Sequence, residues 1–415
     1  MKRFLVLGWM ALLWVTILVA QTSDVVVSAV VKDKDSRKEL GNVNIALVGS
    51  NVGTVSNADG VFSLRISKDD AHKGLIVSHI GYSNVRVSIG ELLNQEKQPV
   101  IWMSPSTMLL KELNVFGGDP RELVEEAVAK IAQNYSEKSN LFSSFYRETI
   151  QKRRRYIGIS EAVANVYKTP YKHQSVLHDK VQVLKGRRLA SQKRSDTLAV
   201  KIVGGPTIPI YLDVVKNGDE FFSPATIPLY HYTMLIPVSI DDRMQYAIRF
   251  EPRVRLEYAL YRGTLYIDQE SMTITRAEFE LDMSDQEKAT QFVLKKKPAG
   301  LRFNLQDVTF LVTYRQQDGK SYLNYMRNAV RFKCNWKKKL FASTFTTTTE
   351  MVMVDREEQP EEGIKTKDSF KQREIFYDKV DEYWNEDFWK DYNIIEPTES
   401  LESAVKKLKK QEKAK

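Results

Sequence analysis

Cysteine is nearly missing from this chain: Cys334 is the only one in 415 residues. A single thiol excludes an internal disulfide framework and any thiolate-rich zinc or iron–sulfur centre. Histidine is scarce too, and the five residues (His72, His79, His173, His178, His231) are scattered. None has Glu three positions on, so the His-x-x-Glu of a zinc carboxypeptidase is lacking, as is His-Glu-x-x-His. No Gly-x-Ser-x-Gly elbow occurs, and Gly158-Ile-Ser160-Glu-Ala162, the nearest approach, reads as strand. Gly204-Gly205 lacks the Lys-Ser/Thr of a phosphate loop. No cofactor and no metal ligand set is expected, and no catalytic residue is assigned.

The body of the chain also has little excess charge. Of the formal +9, Lys2 and Arg3 carry two, and Val405 to Lys415, with six lysines against Glu412, carries five. The remaining +2 is too little for the basic stripe that displaces phosphate counterions, so nucleic acid is excluded as the main partner. Lys2-Arg3 precedes an uncharged run from Phe4 to Ala20. That order is a basic region followed by an apolar one, as in a signal peptide of residues 1–20 cut between Ala20 and Gln21. The alternative is an uncleaved inner-membrane anchor over residues 4–20, since Leu18 is large for the −3 position and the run matches a minimal span. Both readings export the body; cleavage is expected to leave it in the periplasm or at the periplasmic face of the outer membrane. Cys334, on the alternating face of Val330, Phe332 and Trp336, is expected to be a buried small hydrophobe.

From residue 24 to 104 short alternating runs are separated by turn residues. Val43, Ile45 and Leu47 share one strand face, Phe62, Leu64 and Ile66 another, and Val85, Val87 and Ile89 a third. Asp59-Gly60 before Val61-Phe62 predicts a hairpin whose Gly supplies a positive φ. Asn57-Ala58-Asp59-Gly60 lacks the spaced oxygens and distal Glu of a calcium loop. The runs Val30 to Asp35, Leu40 to Ile45, Gly53 to Phe62 and Ser78 to Tyr82 resemble, in order, the carboxypeptidase-like regulatory domain. That resemblance implies a seven-stranded, transthyretin-type Ig-like β-sandwich, a non-catalytic module that occurs beside carboxypeptidase domains and at the N-termini of TonB-dependent receptors.

Residues 105–118 form a linker, and 119–395 read as a larger antiparallel β-rich α+β domain with a flanking helix. Asp119 as N-cap, Pro120 at N1 and Glu122 open that helix, and Leu123, Val124, Ala127, Val128, Ile131 and Tyr135 follow at helical spacing. Later strands alternate: Thr273, Thr275, Ala277, Phe279 and Leu281 oppose Ile274, Arg276, Glu278 and Glu280; Val308, Phe310, Val312 and Tyr314 line one face. The basic run Gln151 to Arg155 is read as the solvated top of a hairpin, with an anion-binding patch as the alternative. Prolines divide residues 201–237, which read as a crossover or lid packed by aromatics. Tyr246 to Pro252 and Tyr261 to Ser271 resemble, over a short motif, the curved sheet of lipoprotein-carrier-like periplasmic proteins. Residues 396–415 are read as a basic helix or solvated tail carrying Leu401, Val405 and Leu408, whose lysines suit an anionic membrane surface.

The mainly β chain is thus expected to be a non-enzymatic envelope protein, with an interaction sandwich, an envelope protein partner, and a scaffold or ligand-holding β domain. The alternatives are a carrier of lipid or lipoprotein and a carboxylate-based carbohydrate- or peptide-processing enzyme. Phe221, Phe222, Tyr383, Trp384, Phe388 and Trp389 are the candidate ligand or partner surface.

Overall fold

The computed structural model describes residues 24–107, 117–193, 196, 198–202, 204–337, 341–384 and 392–413. Residues 4–20, with the Ala20/Gln21 junction, lie outside this set, as do Phe388 and Trp389. Among the described residues, no helix is long and apolar enough to cross a membrane.

Alternation in the first module produces seven strands in two sheets. β1 (Asp24–Asp33), β4 (Val61–Ser67) and β7 (Val100–Met103) form one; β2 (Asn44–Leu47), β3 (Gly53–Val55), β5 (Gly74–Ser78) and β6 (Val85–Ser88) form the other. Their inward residues, among them Val27, Ala29, Ile45, Phe62, Leu64 and Val77, build one dry core. Ile89 departs from its expected strand face. It opens a short helix, α1 (Ile89–Leu93), and still buries its side chain. At the β3–β4 turn, Asn57 Oδ1 accepts from the N–H groups of Asp59 and Val61. Gly60 there has φ +74°, and a Cβ on it would sit 2.5 Å from the Val31 carbonyl oxygen. Gly60→Val should therefore cost about 1–3 kcal/mol, from strain and collision together. Urea unfolding of the full chain measures it, and an unshifted midpoint would refute the turn's role.

The second module opens on α2 (Pro120–Ala129). Its N-cap Asp119 accepts from Arg121 N, and Leu123, Val124, Ala127 and Val128 face inward. An eleven-stranded sheet follows, built from β8 (Asn140–Lys152), β9 (Arg155–Lys168), β10 (Lys180–Ala190), β12 (Tyr230–Met234), β13 (Val238–Ile240), β14 (Arg243–Pro252), β15 (Tyr261–Asp268), β16 (Ile274–Leu281), β18 (Leu301–Gln317), β19 (Lys320–Trp336) and β20 (Ser343–Glu358). The order is β10-β9-β8-β20-β19-β18-β16-β15-β14-β12, with β13 paired to β14, and every pairing is antiparallel. The two strands β11 (Lys201–Ile202) and β17 (Leu294–Lys296) pair apart from it. The inner face is covered by α2, by much of 201–237 and by α3 (Gln286–Val293).

Two expectations are corrected. The register of β15 against β16 shifts between Tyr266 and Ile267, a bulge at Thr275. The bulge turns Ile274, rather than Thr275, onto the buried side with Ala277, Phe279 and Leu281. The C-terminal segment is likewise not a free tail. α4 (Glu399–Lys413) lays Leu401 and Leu408 on Ile159 and Leu189 of β9 and β10. Its first N–H, on Glu399, donates to Asp59 Oδ2 at 2.7 Å, so the sandwich's turn residue caps this helix.

The sandwich sits against the outer face of the sheet. Val55 joins Phe145, Val163, Tyr325, Val352, Val354 and Ile395 in a shared apolar cluster. Around it Arg315 donates to the Asn51 carbonyl at 2.6 Å, and Asn51 and Arg356 exchange two hydrogen bonds.

Candidate functional site

Strand alternation places Tyr146, Glu148 and Ile150 of β8 on the inner face, opposite Met351, Thr349 and Thr347 of β20. An acid among inward residues is the exception in this sheet, and a cavity of about 250 Å³ opens at it. Ile150, Ile157, Leu198, Val200, Ile202, Ile375 and the Tyr377 ring supply apolar wall. Glu148, Asn328, Thr347 and Thr349 supply the polar floor, with Ser191, Asp196 and Lys201 also lining it. Gly158 lets the Tyr377 ring lie against β9, since a Cβ there would be 3.1 Å from the ring. This explains the glycine of the Gly158-Ile-Ser160 run inside a plain strand.

The three charged liners differ in how they are held. Asp196 is buried, and Arg155 grips both its oxygens at 2.6 and 2.9 Å while Ser191 donates at 2.7 Å. Burial opposes ionisation of Asp196, but Ser191 and Arg155 outweigh it and hold the carboxyl below its usual value. Lys201 Nζ is committed to both oxygens of Asp378, at 2.6 and 2.7 Å. Glu148 receives one hydrogen bond, from the Tyr146 hydroxyl at 3.0 Å, and that hydroxyl accepts from Gly205 N at 3.1 Å. Burial pushes the Glu148 carboxyl above its ordinary range; the Asp378 charge adds to this, while Tyr146 and Lys201 oppose it. A carboxyl shifted by desolvation and lining a cavity is a candidate binding or reactive group.

The residues singled out from the sequence lie elsewhere. Phe221 and Phe222 are each 2% exposed. Phe221 packs on Tyr261 and Phe279, and Phe222 on Phe250. They are core beneath the crossover rather than a ligand or partner surface, because a proline-broken segment has to bury its largest apolar groups to stay in place. Tyr383 packs half-buried against the sheet core, and Trp384 is 53% exposed beside Gly186. Neither reaches the cavity. Glu148 itself was missed, although one signal for it exists: an acid between Tyr146 and Ile150 on the apolar side of an alternating strand. Cys334 is partly buried, and desolvation raises its thiol to about 11, which makes it a poor nucleophile. Among the described residues, no group of three or more His, Cys, Asp or Glu is placed to hold a metal ion.

A second buried polar group pins the crossover. Lys168 Nζ, at the end of β9, lies 2.8 Å from Asp213 Oδ2 and 3.2 Å from Asp179 Oδ2. Tyr171 and Tyr314 donate to Asp213 at 2.9 and 2.6 Å. Lys216 donates to the carbonyls of Thr169 and Pro170 and to the Thr169 hydroxyl. All four charged side chains are fully enclosed.

Comparison with known proteins adds a domain-level match. Residues 27–115 match the CarboxypepD_reg-like domain. No curated protein matches the chain. Among solved structures, it is similar to a domain named for outer membrane lipoprotein sorting from Vibrio parahaemolyticus, at 11% identity and TM-score 0.26, covering 60% of this chain and 94% of that one. A DUF1329 family protein from Desulfovibrio piger is also 11% identical, at TM-score 0.22, covering 57% and 94%. A protein of unknown function from Bacteroides fragilis, named as membrane-associated, is 7% identical at TM-score 0.16, covering 80% and 97%.

Proposed function

We propose that this chain is an exported, non-catalytic envelope protein whose sandwich is an interaction module and whose sheet domain holds a small, partly apolar ligand. The observation that carries the reading is the Glu148 cavity, which opens on the inner face beside the start of the crossover. Its 250 Å³ decides the scale of the ligand. At ~30 Å³ per water it replaces about eight solvent molecules, enough for a short hydrocarbon with a polar end. A whole diacyl lipid does not fit inside.

Native mass spectrometry of the protein purified from its own envelope tests this. We expect a mature chain beginning at Gln21 that carries a small adduct, and loss of the adduct when Ile202→Phe fills the cavity. A bare polypeptide mass, with no uptake of a short-chain probe such as hexan-1-ol, would overturn the ligand-holding reading. A full-length chain recovered from the inner membrane would replace cleavage by anchoring.

A further inference from the structure

We propose that the ligand is an alkylammonium compound, its positive end paired with Glu148 and its short hydrocarbon laid among Ile150, Ile157, Leu198, Val200 and Ile202. The inference rests on the ligand-holding reading and adds the chemical class.

It follows from what each charge near the cavity already does. Asp196 is saturated by Arg155 and Ser191, and the Lys201 ammonium is spent on Asp378. Among the described residues, the Glu148 carboxyl receives only the Tyr146 hydroxyl. Glu148 is partly buried, and the nearby Lys201 ammonium is bonded to Asp378 instead, so a cation that bonds the carboxylate directly would relieve the cost of its desolvation. An anionic ligand would place a second negative charge against Glu148. A neutral alcohol could use the apolar wall but would leave the carboxylate uncompensated. An ammonium at the end of a short chain satisfies wall and floor together. The hydroxyls of Thr347 and Thr349 also line the cavity, and can accept from the remaining ammonium hydrogens.

The test compares three probes of one chain length, n-hexylammonium, hexan-1-ol and hexanoate, by ligand-observed NMR on the full chain at pH 7.5. Hexylammonium should bind the wild type at least about tenfold more tightly than hexan-1-ol, the margin of a buried charge-assisted contact. In Glu148→Gln that advantage should vanish while hexan-1-ol binding persists, which also reports that the variant folds. Equal binding of hexylammonium and hexan-1-ol, or preferred binding of hexanoate, would overturn the amine assignment and leave the cavity reading standing. Binding of none of the three would overturn both. If Glu148→Gln does not fold, the ranking of the probes on the wild type still decides.

Discussion

Removing residues 392–415 should cost about 5 kcal/mol or more and loosen the sandwich from the sheet. Ile395, Leu401 and Leu408 are each at most 4% exposed, and burial of such side chains contributes about 1.5–3 kcal/mol apiece. The truncation also uncovers Phe145, Val163, Ile159 and Leu189 on the outer face. It breaks polar ties as well. Asn393 exchanges two hydrogen bonds with the Arg65 backbone, at 2.6 and 3.0 Å. Asn57 donates to the carbonyls of Glu396 and Pro397. Arg147, clamped with Arg187 on the buried Glu161, donates to the Ile395 carbonyl at 2.8 Å. Total stabilities are of order 5–15 kcal/mol, so a loss of this size should populate unfolded sheet domain at room temperature. Urea unfolding should show separated transitions with the sandwich's retained, alongside new binding of a hydrophobic dye. An unchanged single transition would show that the segment is not a clasp. Leu401→Ala with Leu408→Ala should reproduce part of the loss by cavity formation alone.

Asp213→Ala should destabilise the sheet domain by about 3–5 kcal/mol, the usual cost of stripping one partner from a buried ion pair. Lys168 would keep only Asp179, and the Tyr171 and Tyr314 hydroxyls would lose their acceptor. Asp213→Asn retains two acceptor lone pairs and should cost less. The pH dependence has a definite sign. Burial raises the Asp213 carboxyl, but Lys168, Tyr314 and Tyr171 more than offset this and hold it below the 3.8 of a free Asp. Its contribution is therefore complete above that value and lost as pH falls through the lower folded one. Lys168 is lowered by burial, raised further by Asp213 and Asp179, and ends above 10.5. Its share is present below 10.5 and lost as pH rises through the folded value. Wild-type and Asp213→Ala stabilities, measured by denaturant titration, should differ most near neutrality and converge in acid. A constant gap across the acid range would rule out the ionic origin.

The elements legible in the sequence were those made by neighbours along the chain. Asp119-Pro120 starts α2 because a carboxylate and a ring with fixed φ act within one turn. Asp59-Gly60 follows from local backbone preferences, and the positive φ of Gly60 is found there. Period-two alternation in β4 and β18 named their buried faces, since successive side chains must point to opposite sides. The seven-stranded sandwich and the large antiparallel sheet are both consequences of such short-range rules.

What only the tertiary structure decided has the opposite character. The Thr275 bulge depends on the strand beside it. Aromatic residues such as Phe221 read the same whether they coat a core or a binding surface, and the depth of the crossover settles which. Asp213 meets Tyr314 across 101 residues, and Asp59 caps a helix 340 residues later. Glu148 matters because Asp196 and Lys201 are claimed by Arg155 and Asp378, and a sequence does not say which charges are already spent. Local preferences act over a few bonds. Burial, pairing and leftover space depend on how distant segments close upon one another, and those three quantities make the cavity.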